Sequence, residues 1–118
     1  KNSYITAAST CKGQRYGFVF DHCLLIAAKN VNRVFLGRPW RIYAQTVFLN
    51  CFLGSHIHPE GWADWGKMIV HSGTVLYAEY NNIGPGAKSR GRVTWSRQLT
   101  TEESKKYALK EVWGEEVF

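Results

Sequence analysis

The segments Val19-Phe20-Asp21-His22-Cys23-Leu24-Leu25 and Val47-Phe48-Leu49-Asn50-Cys51-Phe52-Leu53 both read V-F-x-[HN]-C-x-L, with equivalent positions 28 residues apart. A third apolar run, Val34-Phe35-Leu36-Gly37, falls between them, and a fourth, from Val75 to Tyr80, starts 28 residues after Val47. The runs are short, rich in β-branched and aromatic residues, and bounded by turn formers, which is strand chemistry. A sandwich or Greek-key barrel also uses short strands, but has no reason to repeat residue identities at a fixed offset. A parallel β-helix does, because each coil returns the chain over its own start, about 4.8 Å along the axis. The pattern therefore predicts an all-β parallel β-helix in which Val19 lies over Val47, Cys23 over Cys51, and Val75 continues the series after Val47.

Helix is scarce. The segment Thr100 to Leu109 predicts one short C-terminal helix, with Thr100 as N-cap and Glu103 completing a capping box. Between Gly54 and Gly73 nothing alternates, and Pro59, Gly61 and Gly66 interrupt any element, so this span reads as an irregular loop carrying Trp62 and Trp65. Gly84-Pro85-Gly86 reads as a tight turn. No linker divides the chain, and residues 1–118 read as part of one domain. The opening Lys1-Asn2-Ser3-Tyr4 is polar and strand-like, with no secretory leader pattern, as expected of a segment of something longer.

Composition narrows the partners. The 15 Lys plus Arg against 9 Asp plus Glu leave +6, which suits an anionic partner such as nucleic acid, an anionic membrane or an acidic polysaccharide. The basic residues are scattered, with no run that reads as a nucleic-acid arm, and no apolar stretch approaches the length of a membrane span. Neither nucleic acid nor a membrane is an expected partner. The three cysteines, Cys11, Cys23 and Cys51, form no C-x-x-C pair. Cys23 and Cys51 read as buried thiols in strands, and Cys11 has no assignment. No metal or cofactor is expected: His56-Ile57-His58 is at most half a metal site, with no third ligand at useful spacing. Ser-His-Asp chemistry lacks a G-x-S-x-G elbow. Asp21 adjoins His22, but neighbours in a strand face opposite ways, so Asp21 is expected to point outward without the histidine's help.

The strongest chemical candidate is Leu36-Gly37-Arg38-Pro39-Trp40. Alternation around Pro39 places Arg38 and Trp40 on one face. An arginine fork beside an indole plate can hold a carboxylate and a sugar ring; equally, the arginine can simply cover the tryptophan by a cation–π contact.

Leu36-Gly37-Arg38-Pro39-Trp40 resembles the L-G-R-P-W motif of pectin methylesterases, or pectinesterases. Further segments resemble that family in order: Tyr4-Ile5-Thr6-Ala7, Gly17-Phe18-Val19-Phe20, Thr46-Val47-Phe48, the H-I-x-P-x-G-W loop from His56 to Trp62, Ala78-Glu79-Tyr80 through Gly84-Pro85-Gly86-Ala87, and Arg90-Gly91-Arg92-Val93 with Trp95. The resemblance implies a right-handed parallel β-helix and hydrolysis of the methyl esters of homogalacturonan to pectate and methanol, in a secreted, cell-wall or periplasmic protein. It implies that one Asp attacks the ester carbonyl, a second acts as general acid and then base, and glutamine amides stabilise the oxyanion. Arg38 inherits the role of holding the nucleophilic carboxylate, and Trp40 that of lining the sugar cleft. The family's aspartates and glutamines lie upstream of the Y-[IV]-T-A strand. Gly17 stands where a nucleophile would be in a D-F-I-F-G segment, and no catalytic role passes to Asp21. The chain therefore reads as the C-terminal part of an esterase domain that needs its N-terminal coils. The alternative is a non-catalytic module holding acidic polysaccharide through Arg38, Trp40, Tyr43, Trp62 and Trp65.

Overall fold

The computed structural model describes residues 3–8, 10, 12–13, 15–40, 42–64 and 73–108. Ten short strands follow in chain order: β1 (Ser3–Tyr4), β2 (Ala7–Ala8), β3 (Phe18–Asp21), β4 (Leu24–Leu25), β5 (Val34–Phe35), β6 (Arg38–Pro39), β7 (Gln45–Leu49), β8 (Phe52–Leu53), β9 (Leu76–Tyr80) and β10 (Arg97–Gln98). Every pairing is parallel, and the strands stack into three faces of a β-helix. On the first face β5 and β6 lie over β1 and β2. The second face runs β3, β7, β9, β10, and the third pairs β4 with β8.

The repeat is explained by what happens at each corner. Val19 lies over Val47 as expected. One step beyond the paired strand ends sit His22, Asn50 and Asn81, with φ of 57°, 55° and 54°. This left-handed conformation is most tolerable, outside glycine, for Asn, Asp and His. The corner side chains also bond coil to coil: Asn81 Nδ2 donates to Asn50 Oδ1 (2.8 Å) and Asn50 Nδ2 to Asp21 Oδ1 (3.0 Å). The next position points inward. There the Cys23 N–H donates to Cys51 Sγ (3.4 Å) and the Cys51 N–H to Asn82 Oδ1 (2.9 Å). Sulfur and amide oxygen thus serve the same purpose, accepting the N–H of the preceding coil. Burial pushes the Cys51 thiol up to about 11. Cys23 is half-buried rather than buried, while Cys11 lies outside the described residues.

The left-handed corner also alters one expectation. His22 turns back so that its Nδ1 lies 2.8 Å from Asp21 Oδ1, a contact that strict strand alternation does not allow. A second correction concerns the period. Ala78, not Val75, lies over Val47, so the second return takes 31 residues, because the intervening chain carries extra turns. The third concerns the Gly54–Gly73 span, whose described part is not irregular throughout. Ile57 bridges to Val34 and Trp62 to Gly37, adding a further coil to the first face, and Trp62 is fully buried.

Inside, Phe20 stacks on Phe48 (4.5 Å), Phe48 meets Trp62 edge-on (5.9 Å), Trp62 packs on Tyr77 (4.7 Å), and Tyr77 reaches Trp95 (5.9 Å). This aromatic column runs with Leu36, Leu53 and Ile57 through the core. The C-terminal segment covers the outside of the second face. Its helix is shorter than expected: one α turn at Thr101–Ser104 and a 3-10 turn at Lys105–Tyr107, with Leu109 outside the described residues. The capping box forms as read, Thr100 Oγ1 accepting from the Glu103 N–H and Glu103 Oε1 from the Thr100 N–H. Those bonds hold the Glu103 carboxyl below the usual carboxylate range. Tyr107 then buries itself against Val47, Leu49 and Ala78.

One polar cluster sits in this interior. Arg92 Nε and Nη2 grip Glu79 Oε2 and Oε1 at 2.7 and 3.0 Å, with side chains only 4% and 3% exposed. Arg92 also donates to the carbonyls of Pro59 (3.0 Å) and Gly86 (2.7 Å), and Gln98 Nε2 donates to Glu79 (3.3 Å). Breaking one side of such a pair costs about 3–5 kcal/mol, since the other charge stays buried. Glu79→Ala is therefore expected to lower unfolding stability by about that amount in denaturant titration; a loss of under about 1 kcal/mol would show that the pair is dispensable. Cys51, buried and protonated at neutral pH, should resist alkylation in the native protein and react promptly once unfolded, as followed by mass spectrometry.

Candidate functional site

On the first face, Val34 and Leu36 point into the core, and so do Ile57 and Trp62 from the coil above. The alternate positions face out. Tyr4 stacks on Phe35 (5.6 Å) and Phe35 on His58 (4.5 Å), so three coils build a row of flat rings on the outer side of this face, with Phe35 buried between the two half-buried rings. The Arg38 guanidinium lies over the Tyr4 ring, its Cζ 4.0 Å from the centroid, a distance at which the ring's negative face attracts the cation. Trp40 is 47% exposed, while Pro39 between them is buried. Arg38 and Trp40 thus share the outer face as the alternation predicted. Arg38 covers the tyrosine of the coil below.

Gly37 makes this placement possible. A Cβ there would fall 2.1 Å from Thr6 Oγ1 and 3.3 Å from the Trp62 ring. Without a side chain, the strand presses close enough for Thr6 Oγ1 to donate to the Leu36 carbonyl (3.0 Å). The backbone then locks on both sides: Arg38 and Trp40 N–H groups donate to Thr6 and Ala8 carbonyls (3.1 and 2.7 Å), and the Ala63 N–H donates to the Gly37 carbonyl (3.0 Å). A guanidinium on an extended, doubly paired strand is held in a fixed direction, which suits a bidentate grip on a carboxylate.

A family model described as Pectinesterase matches residues 1–115. The chain belongs to the pectinesterase family. Among curated relatives, it is 37% identical to Pectinesterase 2 of Citrus sinensis over 80% of its own length and 19% of that protein. Among solved structures, it superposes on the pectin methylesterase from carrot with a TM-score of 0.81 at 28% identity, covering 92% of this chain and 37% of that one. It also superposes on a pectin methylesterase in complex with a hexasaccharide, with a TM-score of 0.71 at 26% identity, covering 95% of this chain and 38% of that one. The chain spans between 13% and 31% of the lengths of the leading curated relatives it matches. The fold is the right-handed parallel β-helix of these esterases.

Within this pectinesterase segment, the remaining sequence candidates separate. Asp21 closes a strand of the second face and is occupied by His22 and Asn50, away from the ring row. His56 is buried, and His58 stacks on Phe35 while its Nδ1 accepts the Glu60 N–H (3.1 Å). Among the described residues no three His, Cys, Asp or Glu side chains gather as metal ligands, and no helix is long and apolar enough to cross a membrane. Of the aromatics considered for a binding surface, Trp62 is a core residue, Tyr43 is half-buried with Lys12 over its ring (5.9 Å), and Trp65 lies outside the described residues. Sequence reasoning missed the Tyr4–Phe35–His58 row. The only signal was the recurrence of a ring at one coil position, and the unequal offsets between those three residues concealed it.

Proposed function

We propose that residues 1–118 are the C-terminal part of a single pectinesterase domain that removes methyl esters from homogalacturonan, releasing methanol and leaving the free acid, in a secreted, cell-wall or periplasmic protein. In this scheme the chain contributes part of the catalytic cleft. The nucleophilic and acid–base aspartates come from N-terminal coils stacked on β1 and β2. In this reading Arg38 holds the nucleophilic carboxylate charged and oriented, and Trp40 offers its exposed ring to a galacturonate face. The observation that supports the proposal is that Arg38 and Trp40 share the outer face, Arg38 half-buried and Trp40 exposed. Arg38 there rests on Tyr4, at the coil nearest to where upstream strands would stack.

The state of the first coil supports a neighbour on that side. Phe18 is 50% exposed, whereas Thr46, which lies over it, is fully buried; Phe20, Cys23 and Leu25 are likewise more exposed than Phe48, Cys51 and Leu53. An uncovered rung with unpaired strand groups is a template for association. The 118-residue chain alone is therefore expected to release no methanol from methylated pectin and to self-associate in sedimentation. Measurable release, or a monomer at high concentration, would count against the missing-coil reading.

In the full-length protein, Arg38→Ala should lower kcat by about a hundredfold, because a misplaced nucleophile loses its near-attack geometry. Arg38→Lys, which keeps the charge without the fork, should recover only part of that. Trp40→Ala should raise KM with a smaller effect on kcat. Full methanol release by Arg38→Ala would overturn the assignment.

A further inference from the structure

A groove on a different side of the molecule has no role in this scheme. It runs along the flank where the chain turns from the third face into the first. The depth of the groove comes from unequal turns. In the second coil the chain crosses from Leu53 to Ile57 through Gly54, Ser55 and His56 alone, whereas the first coil takes Ile26 to Arg33 and the third Gly84 to Arg92. A short turn between two long ones leaves a valley. Two cavities of about 390 and 470 Å³ occupy it, and they share Ser55 and Pro85, so they form one trough along the helix axis. Close glycine packing keeps the floor in place: a Cβ on Gly86 would strike the Gly54 carbonyl oxygen at 2.1 Å.

The lining has a chemical bias. Lys29 stands on one wall, Lys88 and Arg90 on the other, and no Asp or Glu lines either cavity. All three cations are exposed, and none forms an ion pair among the described residues. The one other cation, Arg92, is neutralised by Glu79. Between the charges lie Val31, Pro59 and Pro85, flat apolar surface that fits the C–H face of a sugar ring, with the Ser55 hydroxyl at the junction. Unpaired cations spaced along an apolar trough match a chain of linked sugar acids better than a methyl ester, which carries no charge for them to meet.

We infer that this groove binds a stretch of free-acid galacturonan, the chemical class of the product, at a place separate from Arg38 and Trp40. The inference rests on the esterase reading for the identity of its ligand. It gives the protein a hold on polymer that has already been demethylated while the other face works on ester.

The test is binding by the full-length protein of two galacturonate hexamers, one fully free-acid and one fully methyl-esterified, by titration calorimetry at low salt. Lys88→Glu/Arg90→Glu should weaken free-acid binding about tenfold, given two reversed surface charges. Lys105→Glu/Lys106→Glu, with the same change of net charge elsewhere, should stay within about twofold. Ser55→Tyr fills the junction without touching any charge, should also cost about tenfold, and keeps the test decisive if the charge-reversed variant fails to fold. Methyl-ester binding should change little in every variant. Equal losses in the groove and control pairs would make the effect one of net charge and overturn the groove, as would unaltered binding by Ser55→Tyr. Methanol release reports separately. Release with no groove effect removes only this inference, whereas groove binding without release removes the esterase reading and leaves a site for acidic polysaccharide.

Discussion

The Glu79–Arg92 pair is the point from which the open face is organised. A carboxylate inside a β-solenoid is costly unless fully met, and here both oxygens are gripped by one guanidinium with Gln98 adding a third bond. The guanidinium uses two further donors on Pro59 and Gly86, which ties the coil bearing Glu79 to the turn before Trp62. Gly61, at φ 76°, lies so close that a Cβ would sit 2.4 Å from Arg92 Cδ. Its carbonyl accepts the Leu36 N–H (2.7 Å), and Trp62 follows it into the core against Gly37. The direction of Arg38 is therefore set through Gly37, Trp62 and Gly61 by an ion pair that never touches the outer surface.

This chain of dependence marks where the sequence was informative. The V-F-x-[HN]-C-x-L repeat was legible because two of its positions have demands that few residues meet. One needs a left-handed φ, supplied by His22 and Asn50, and the next needs a small inward acceptor, supplied by Cys51. The second return was not legible, because Asn82 performs the cysteine's task with different chemistry and the extra residues shift the offset to 31. Arg38 and Trp40 could be placed on one face from alternation alone. The ring row beneath them could not, because Tyr4, Phe35 and His58 become neighbours only once the coils are stacked. Trp62 illustrates the converse error. A tryptophan among Pro and Gly looks like a surface ligand, yet its neighbour Gly37 leaves a slot into which the indole packs.

The same geometry explains how a small segment keeps several surfaces apart. In a β-helix each coil contributes one strand to each face and one turn to each flank, so residues a few positions apart in sequence look out in different directions. The second face is closed by the C-terminal segment through Tyr107, while the first carries the ring row with Arg38 and Trp40. The flank between the third face and the first is shaped only by turn length, since the strands on either side are pinned by their ladders. Turns can lengthen or gain charge there without moving Arg38, whose backbone N–H bonds to Thr6 while Leu36 beside it bonds to Gly61. That independence is what allows Lys29, Lys88 and Arg90 to form a charged trough beside a face whose own positioning depends on near-exact packing. Under the proposed scheme, a polymer longer than either surface meets both, and the fold needs no second domain to separate a site for ester from a hold on acid.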